Sequence, residues 1–583
     1  MSRKHTIKRR AFIEKSALGV GGLIFSTVLV GSCTDHQGPN PNDPNQQGRF
    51  DYNVASFDPT DNQIILWTRI TPANDASPKV TLTYQLATDN AFNSVVKTEM
   101  VDAAAADDFT VSIDISGLAS NTKYFYRFTI TNTAVTSPVG ETKTLPKGAE
   151  LGEVKLAVCS CSNYPYGLFN VYGAMANSEA DVVLHLGDYI YEYGQGQYGT
   201  SANTNALGRA HQPANEILSL SDYRTRYKQY RSDPQLQLAH QKKPFICVWD
   251  DHELTNDAYK DGAQNHQPNE GDFNVRKANA LKAYHEYIGV RTQIDAQIYR
   301  SFTFGNILDL HMLDTRIIGR DKQLDYSSYF TSNGQLNAAA FQQAWLDPNR
   351  TILGKEQLAW LGGALAAGRA TWQVLGQQVL MAKMFVPAEL LVVIARVAAE
   401  VGAQGSVSPA TNQQFQTLLT TLTQIKARVV ANDPTLTPQE IARVKTVLPY
   451  NLDAWDGYPV EREIVFGLAK GKKLVALAGD THNAWYSDLT ANDGTKVGRE
   501  VATPSVTSPG FESILGSNPA AIAGFEQALA LLIDDLQYLD ATRRGYTIVS
   551  FSTSRVAAEW RYVPTITTPT VATAVGRTET FTA

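Results

Sequence analysis

Hydrophobic and polar positions follow two different rhythms along this chain. Between Asn53 and about Pro146, short apolar runs alternate with polar residues and are separated by turn formers. Examples are Ile64-Ile65-Leu66-Trp67-Thr68, Val80-Thr81-Leu82-Thr83-Tyr84, Phe109-Thr110-Val111-Ser112-Ile113 and Tyr124-Phe125-Tyr126-Arg127-Phe128-Thr129-Ile130. Runs of this kind predict half-buried strands, and their number predicts a small all-β domain over 49–148, a sandwich of the immunoglobulin or fibronectin type. Leu118 followed by Thr122-Lys123-Tyr124 looks like the tyrosine corner of such a domain.

From Val154 onward continuous apolar runs alternate with helical patterns. Val154–Val158, Asp181–Leu186, Pro244–Trp249, Ile307–Leu313, Trp372–Gly376 and Lys473–Ala478 read as buried strands, and Gly545–Phe551 and Ala557–Tyr562 as closing strands. Leu168–Glu179, carrying Phe169, Tyr172 and Met175 toward the core, and Lys355–Ala367 read as helices, as does Ala520–Leu539. The polar aromatic segment Tyr223–Tyr230 precedes the strand Pro244–Trp249. The alternation predicts an α/β catalytic domain over 152–583, with a layered β-sandwich core flanked by helices. Pro387 to about Pro449 departs from it. That stretch is rich in Ala, Gln and Thr, with helices expected at Gln413–Ala431 and Thr437–Val447, and reads as an insertion or lid over 387–449.

A chain of 583 residues exceeds one hydrophobic core, so at least two domains are expected. With 43% hydrophobic residues and a formal net charge of −6, it is globular and carries no basic surplus pointing to a nucleic-acid partner. The amino terminus adds a destination. Lys8-Arg9-Arg10 precedes a weakly apolar run from Ala17 to Val30, which ends Val30-Gly31-Ser32-Cys33. This resembles a twin-arginine lipoprotein signal peptide over 1–33, which implies the twin-arginine export machinery as a partner and a lipid anchor at Cys33. The mature protein is then expected in the periplasm or at the cell surface of a bacterium. Residues 34–48, with Pro39-Asn40-Pro41-Asn42-Asp43-Pro44, read as a flexible linker. Only Cys159, Cys161 and Cys247 remain, too few for a disulfide framework. Cys159 and Cys161 share a strand face and are poorly placed to bond each other.

Four apolar runs end in ligand-type residues. They are Val158-Cys159-Ser160-Cys161-Ser162-Asn163, Leu184-His185-Leu186-Gly187-Asp188-Tyr189-Ile190-Tyr191-Glu192, Val248-Trp249-Asp250-Asp251-His252-Glu253-Leu254-Thr255-Asn256 and Leu477-Ala478-Gly479-Asp480-Thr481-His482-Asn483. Consecutive acids such as Asp250-Asp251 are costly to bury without ions. Four such strand ends meeting at one sheet edge would supply thiolate, carboxylate, amide and imidazole, a mixture suited to a multinuclear site of hard and intermediate metals. Asp480 and His482 fall on one face of extended backbone, and one helical turn or a tight loop would aim Asp188 and Tyr191 at one ion. A ferric-type Lewis acid can hold a tyrosine as phenolate.

These motifs resemble the PhoD family of alkaline phosphatases and phosphodiesterases, a branch of the calcineurin-like metallophosphoesterases. Phe57-Asp58-Pro59-Thr60, Leu66-Trp67-Thr68-Arg69, Leu313-Asp314-Thr315-Arg316 and Asp453-Ala454-Trp455-Asp456-Gly457-Tyr458 extend the likeness over nearly the whole mature chain. The wider superfamily usually carries Asp-x-His, Gly-Asp, Gly-Asn-His and Gly-His-x-His. Here the first becomes Ser160-Cys161-Ser162-Asn163, the third Asp250-Asp251-His252-Glu253 and the last Gly479-Asp480-Thr481-His482. The resemblance implies iron (Fe3+) together with calcium (Ca2+). By the family pattern the ligands are Cys161, Asp188, Tyr191, Asn256, Asp480 and His482, with Asp188 as the bridge. Asp251 and His252 would act beside them or orient the loop that carries Asn256. Arg316 either faces the phosphate or pairs with Asp314 or another carboxylate. Arg224, Arg226 and Arg231 read as a structural network, and His185 as a buried hydrogen-bonding residue.

The function expected on these grounds is an exported, metal-dependent hydrolase that releases phosphate from small phosphomonoesters by attack of metal-activated water. A phosphodiesterase acting on phospholipids, cell-wall polymers or nucleic acid is the alternative within the same fold. A non-catalytic surface adhesin is the alternative outside it.

Overall fold

The structure is a computed structural model describing residues 48–582, apart from 75, 293–296, 332–335 and 405–406. The signal segment 1–33, with Cys33, and the linker up to residue 47 lie outside the described residues.

Two large mixed sheets face each other. The nine-stranded sheet runs in the order Ala574–Thr582, Arg555–Tyr562, Gly545–Ser552, Glu153–Cys159, Val182–His185, Pro244–Cys247, Val54–Phe57, Gln63–Arg69 and Thr110–Ser116. The seven-stranded sheet runs Arg300–Phe304, Leu308–Met312, Trp372–Gly376, Lys473–Ala478, Lys496–Ala502, Ala484–Thr490 and Leu536–Asp540. In the strand Glu153–Cys159, Val154, Leu156 and Val158 join the core between the sheets, while Ala157 and Cys159 join the core under the outer helices. Both faces are therefore covered, which is why the sequence runs apolar without polar alternation there. Helices Asn170–Ala176, Leu220–Arg231, Pro234–Lys242 and Phe273–Tyr287 cover one outer face. Gly354–Ala367, Pro459–Leu468, Pro409–Val430 and Pro519–Leu532 cover the other. The result is an α/β fold of mixed sheets with flanking helices. Among the described residues no helix is long and apolar enough to cross a membrane.

The strands of the first hundred residues divide between two sheets. A four-stranded sheet, Val95–Ala104, Lys79–Ala87, Lys123–Ile130 and Gly140–Lys143, packs on Val54–Phe57, Gln63–Arg69 and Thr110–Ser116 around one core containing Leu66, Leu82 and Phe128. The Tyr124 hydroxyl accepts the Ala119 N–H at 2.9 Å, closing the turn. The second layer of this pair is not self-contained, however. Ser56 and Phe57 pair in parallel with Pro244 and Phe245, so the layer continues into the nine-stranded sheet.

One further element differs from the sequence reading. The helix expected over Ala520–Leu539 stops at Leu532, and Leu536–Asp540 forms the edge strand of the seven-stranded sheet, because Asp534 and Asp535 interrupt the apolar period. The segment around Tyr223–Tyr230 is a helix, Leu220–Arg231, started by Ser219 and Asp222 in a capping box. Phe385–Pro387 and Val447–Pro449 pair antiparallel, and helices Ala388–Gln404, Pro409–Val430 and Pro438–Lys445 stand between them.

Candidate metal centre

The parallel strands Glu153–Cys159, Val182–His185, Pro244–Cys247 and Lys473–Ala478 deliver their chains to one edge, and each then turns sharply. Cys161, Asp188, Asp480 and His482 all sit at positive φ, at 61°, 55°, 64° and 65°. That region is sparsely used by side-chain-bearing residues, and four occupants side by side mark a backbone held against its preference. Gly187, at φ 108°, allows the turn into Asp188, since a Cβ there would come within 2.4 Å of the Asp250 Cβ. A Cβ on Gly479 would lie 2.5 Å from the Ser160 Oγ.

These turns gather the side chains into three overlapping groups: Cys161 with Asp188 and His482, Asp188 with Asp251 and His252, and Asp250 with Asp251 and Asp480. Within each, the potential ligand atoms lie within 4.8 Å of one another. Asp188 is common to the first two groups. The Tyr191 hydroxyl donates to Asp188 Oδ2 at 2.7 Å and also meets Ser508 Oγ at 2.6 Å and His482 Nε2 at 3.3 Å.

Backbone and buried acids aim the rings. His482 Nδ1 lies 2.7 Å from the Pro509 carbonyl, so Nδ1 carries the proton and Nε2 turns its lone pair to Asp188 and Tyr191. His252 Nδ1 lies 2.7 Å from Glu192 Oε2, leaving Nε2 for the Asp188–Asp251 side. Glu192 also accepts the Asn256 N–H and the Asn265 amide. Glu253 accepts the N–H groups of Asp188 at 3.1 Å and Asp250 at 2.7 Å, together with that of Tyr189, and so clamps two ligand loops to each other.

Arg316 takes the structural side of its two readings. It is wholly buried, and its guanidinium donates to Asp250, to Asp453 at 2.8 Å and to Asp480 at 3.0 Å. Each guanidinium nitrogen meets a carboxylate, which favours the ion-pair reading, a positioning role, over the phosphate-facing one. Asp314 binds its backbone N–H instead. The Asn256 amide donates to Gln264 at 3.0 Å at the rim. Arg226 holds the carbonyls of Tyr191 and Tyr193, Arg224 pairs with Glu286, and Arg231 stacks over Trp67. His185 is buried against the Tyr172 hydroxyl at 2.7 Å. The three described cysteines are free.

The donor set fits metal ions. Asp188 Oδ1 and Asp250 Oδ2 are buried with no hydrogen-bond partner. Burial, with the charges of Asp250 and Asp251, pushes the Asp188 carboxyl up to about 8. Burial also lifts Asp480 to about 8, with Asp453, Asp251 and Asp188 adding to it against Arg316. Burial and the Asp188 charge raise the Cys161 thiol well above its usual range. Such acids crowd together in the charged state only when cations neutralise them.

Comparison with known proteins gives the same answer. A family profile described as PhoD-like phosphatase matches residues 156–560, and one described as its N-terminal domain matches 36–146. The chain belongs to the PhoD-like phosphatase family. Alkaline phosphatase D of Bacillus subtilis (strain 168) is 32% identical over 595 residues, spanning 97% of this chain and 86% of that protein. A solved structure of PhoD aligns with a TM-score of 0.71 at 29% identity, covering 93% of this chain and 92% of that one. The protein is a metal-dependent phosphoric-ester hydrolase, and the adhesin alternative falls.

Sequence reading missed several working parts of this PhoD-like site. Glu192 and Glu253 stood inside the motifs and looked like further acids, yet each serves as a buried acceptor. Asp453 lay in a recognised motif with no role, and it binds Arg316 and Arg320. Ser508 and Pro509 carried no signal at all, because a hydroxyl and a backbone carbonyl become informative only once the chain has folded back.

Proposed function

We propose that this chain is an exported alkaline phosphatase preferring phosphomonoesters, with Fe3+ and Ca2+ held by Cys161, Asp188, Tyr191, Asn256, Asp480 and His482. The observation that carries the reading is the shared position of Asp188 in two adjacent ligand groups, as a bridging carboxylate requires. The mixture of thiol, phenol and imidazole around one side of Asp188 suits ferric iron, and the oxygen donors Asp188, Asp480 and Asn256 suit calcium. Bound there, the ions neutralise phosphoryl oxygens and lower the pKa of a water. The chain's own residues do the rest. Arg316 fixes Asp250 and Asp480 in place. Glu192 orients His252, whose Nε2 can hold a proton for the departing oxygen beside Asp251. Pro509 fixes the His482 ring for ligation through Nε2.

Metal analysis and paired substrates test this. Purified protein should contain iron and calcium, lose activity on chelation, and hydrolyse 4-nitrophenyl phosphate faster than its bis-ester. Equal or greater diester turnover would replace the monoester reading with the diesterase one. The destination rests on Lys8-Arg9-Arg10 and Cys33: changing both arginines to lysine should hold the chain in the cytoplasm, and Cys33→Ala should release it from membranes.

A further inference from the structure

An apolar cavity of about 90 Å³ is walled in part by residues that follow or precede the ligand cluster in the chain, Trp485, Phe511 and Tyr450. Its lining combines the helices Ala388–Gln404, Pro409–Val430 and Pro519–Leu532 with the short helix Glu512–Leu515 and three segments that also build the metal centre. Trp485 is one wall, and its indole N–H donates to the hydroxyl of Thr481, the residue between Asp480 and His482. Phe511 is a second, two residues beyond the Pro509 carbonyl that fixes His482. Tyr450 is a third, at the start of the loop that carries Asp453 to Arg316. Apart from that phenol and that indole, every lining side chain is hydrocarbon or thioether. Ile394, Phe511, Ile514 and Leu515 are only half-buried, so the cavity has a side toward solvent.

We propose that this cavity takes the alkyl chain of an aliphatic phosphate ester whose phosphoryl end lies at the Asp188–Asp480 cluster. The proposal rests on the phosphoric-ester hydrolase reading and adds a substrate class to it. Polar leaving groups gain nothing from such walls, whereas a saturated chain exchanges water for hydrocarbon contact along its length. At about 10–15 Å³ of accessible space per water-sized group, the room corresponds to roughly six methylenes. Each methylene buried is worth about fourfold in binding. The cavity shares three chain segments with the catalytic cluster, so an occupant would bear directly on the residues that hold the ions.

The test uses the metal-loaded full chain and n-alkyl phosphates from ethyl to octyl, kept below micelle-forming concentrations. In the parent protein kcat/KM should rise with chain length, giving an octyl-to-ethyl ratio of at least fiftyfold. Ile394→Trp fills the cavity from its half-exposed side and Leu515→Asp places a charge in it; both should collapse that ratio to within threefold of one. A flat series in the parent, or a ratio untouched by both variants, overturns the proposal. Binding of the non-hydrolysable n-octyl and ethyl phosphonates, followed by calorimetry, separates the two layers of the argument. An octyl preference without turnover of any ester supports the cavity assignment while sinking the hydrolase reading, and equal binding of the two phosphonates overturns the cavity assignment whatever the activity.

Discussion

His252 Nδ1 and Glu192 Oε2 are 2.7 Å apart, and both side chains are buried. The carboxylate sets which imidazole nitrogen faces the ligand cluster, and it does so from a residue that also holds the Asn256 backbone. Glu192→Gln keeps the shape and removes the charge. Partners of this kind are worth about 10–100-fold in metal affinity or activity. The expected outcome is a loss within that range in metal retained through dialysis and in kcat, with little change in KM.

On the proposed assignment Tyr191 and Cys161 report on iron directly. A phenolate or thiolate bound to Fe3+ absorbs visible light, so Tyr191→Phe should shift or abolish the visible band of the purified protein, and Cys161→Ser should lower its iron content. Tyr191→Phe also deprives Asp188 and Ser508 of a hydroxyl partner, so a fall in melting temperature of a few degrees is expected with it. A visible spectrum unchanged in Tyr191→Phe would remove Tyr191 from the ligand set.

Arg316 distinguishes a structural arginine from a substrate-facing one. Removing one partner of a buried ion pair costs about 3–5 kcal/mol, and Arg316→Ala strips a shared cation from Asp250, Asp453 and Asp480. Urea denaturation should show a loss of that order, with weakened calcium binding. Full stability combined with a raised KM for the ester would return Arg316 to the phosphate.

Acid should destabilise the fold through His185. Burial lowers its pKa to about 3, while an unfolded histidine titrates near 6.5. The unfolded state therefore binds the extra proton below pH 6.5, so stability is full above that value and declines as pH falls toward 3. Between pH 7.5 and 5 the contribution of this ring is on the order of 2 kcal/mol. His185→Gln should shrink the difference in unfolding free energy between those two pH values, even though the variant is weaker at both.

Much of this was legible in the order of residues. Buried strands such as Trp372–Gly376 and Lys473–Ala478 announce themselves because an apolar run covered on both faces has no polar period. The proposed ligands Cys161, Asp188, Asp480 and His482 follow such runs at once, so their convergence needed only parallel strands. The helix Leu220–Arg231 was hidden for the opposite reason. Its inward face carries Tyr223, Arg226, Tyr227, Tyr230 and Arg231, and the buried arginines find carbonyl and aromatic partners from distant segments that no local pattern encodes. The phosphate-facing reading of Arg316 shares that origin, since Asp250, Asp453 and Asp480, which its guanidinium binds, all lie more than sixty residues away.

The join between Ser56-Phe57 and Pro244-Phe245 has a consequence for the life of the chain. A strand made at the start of synthesis must wait for one made nearly two hundred residues later, and Glu153–Cys159 must wait for Gly545–Ser552 near the end. Contacts of such long sequence separation form slowly and leave sheet edges open meanwhile. Cys161 meets Thr507 and Ser508 only after those segments exist. The ion-binding chamber is therefore among the last things the ribosome's product acquires, and a molecule cut short before residue 545 would carry its ligands without a complete vessel to hold them in.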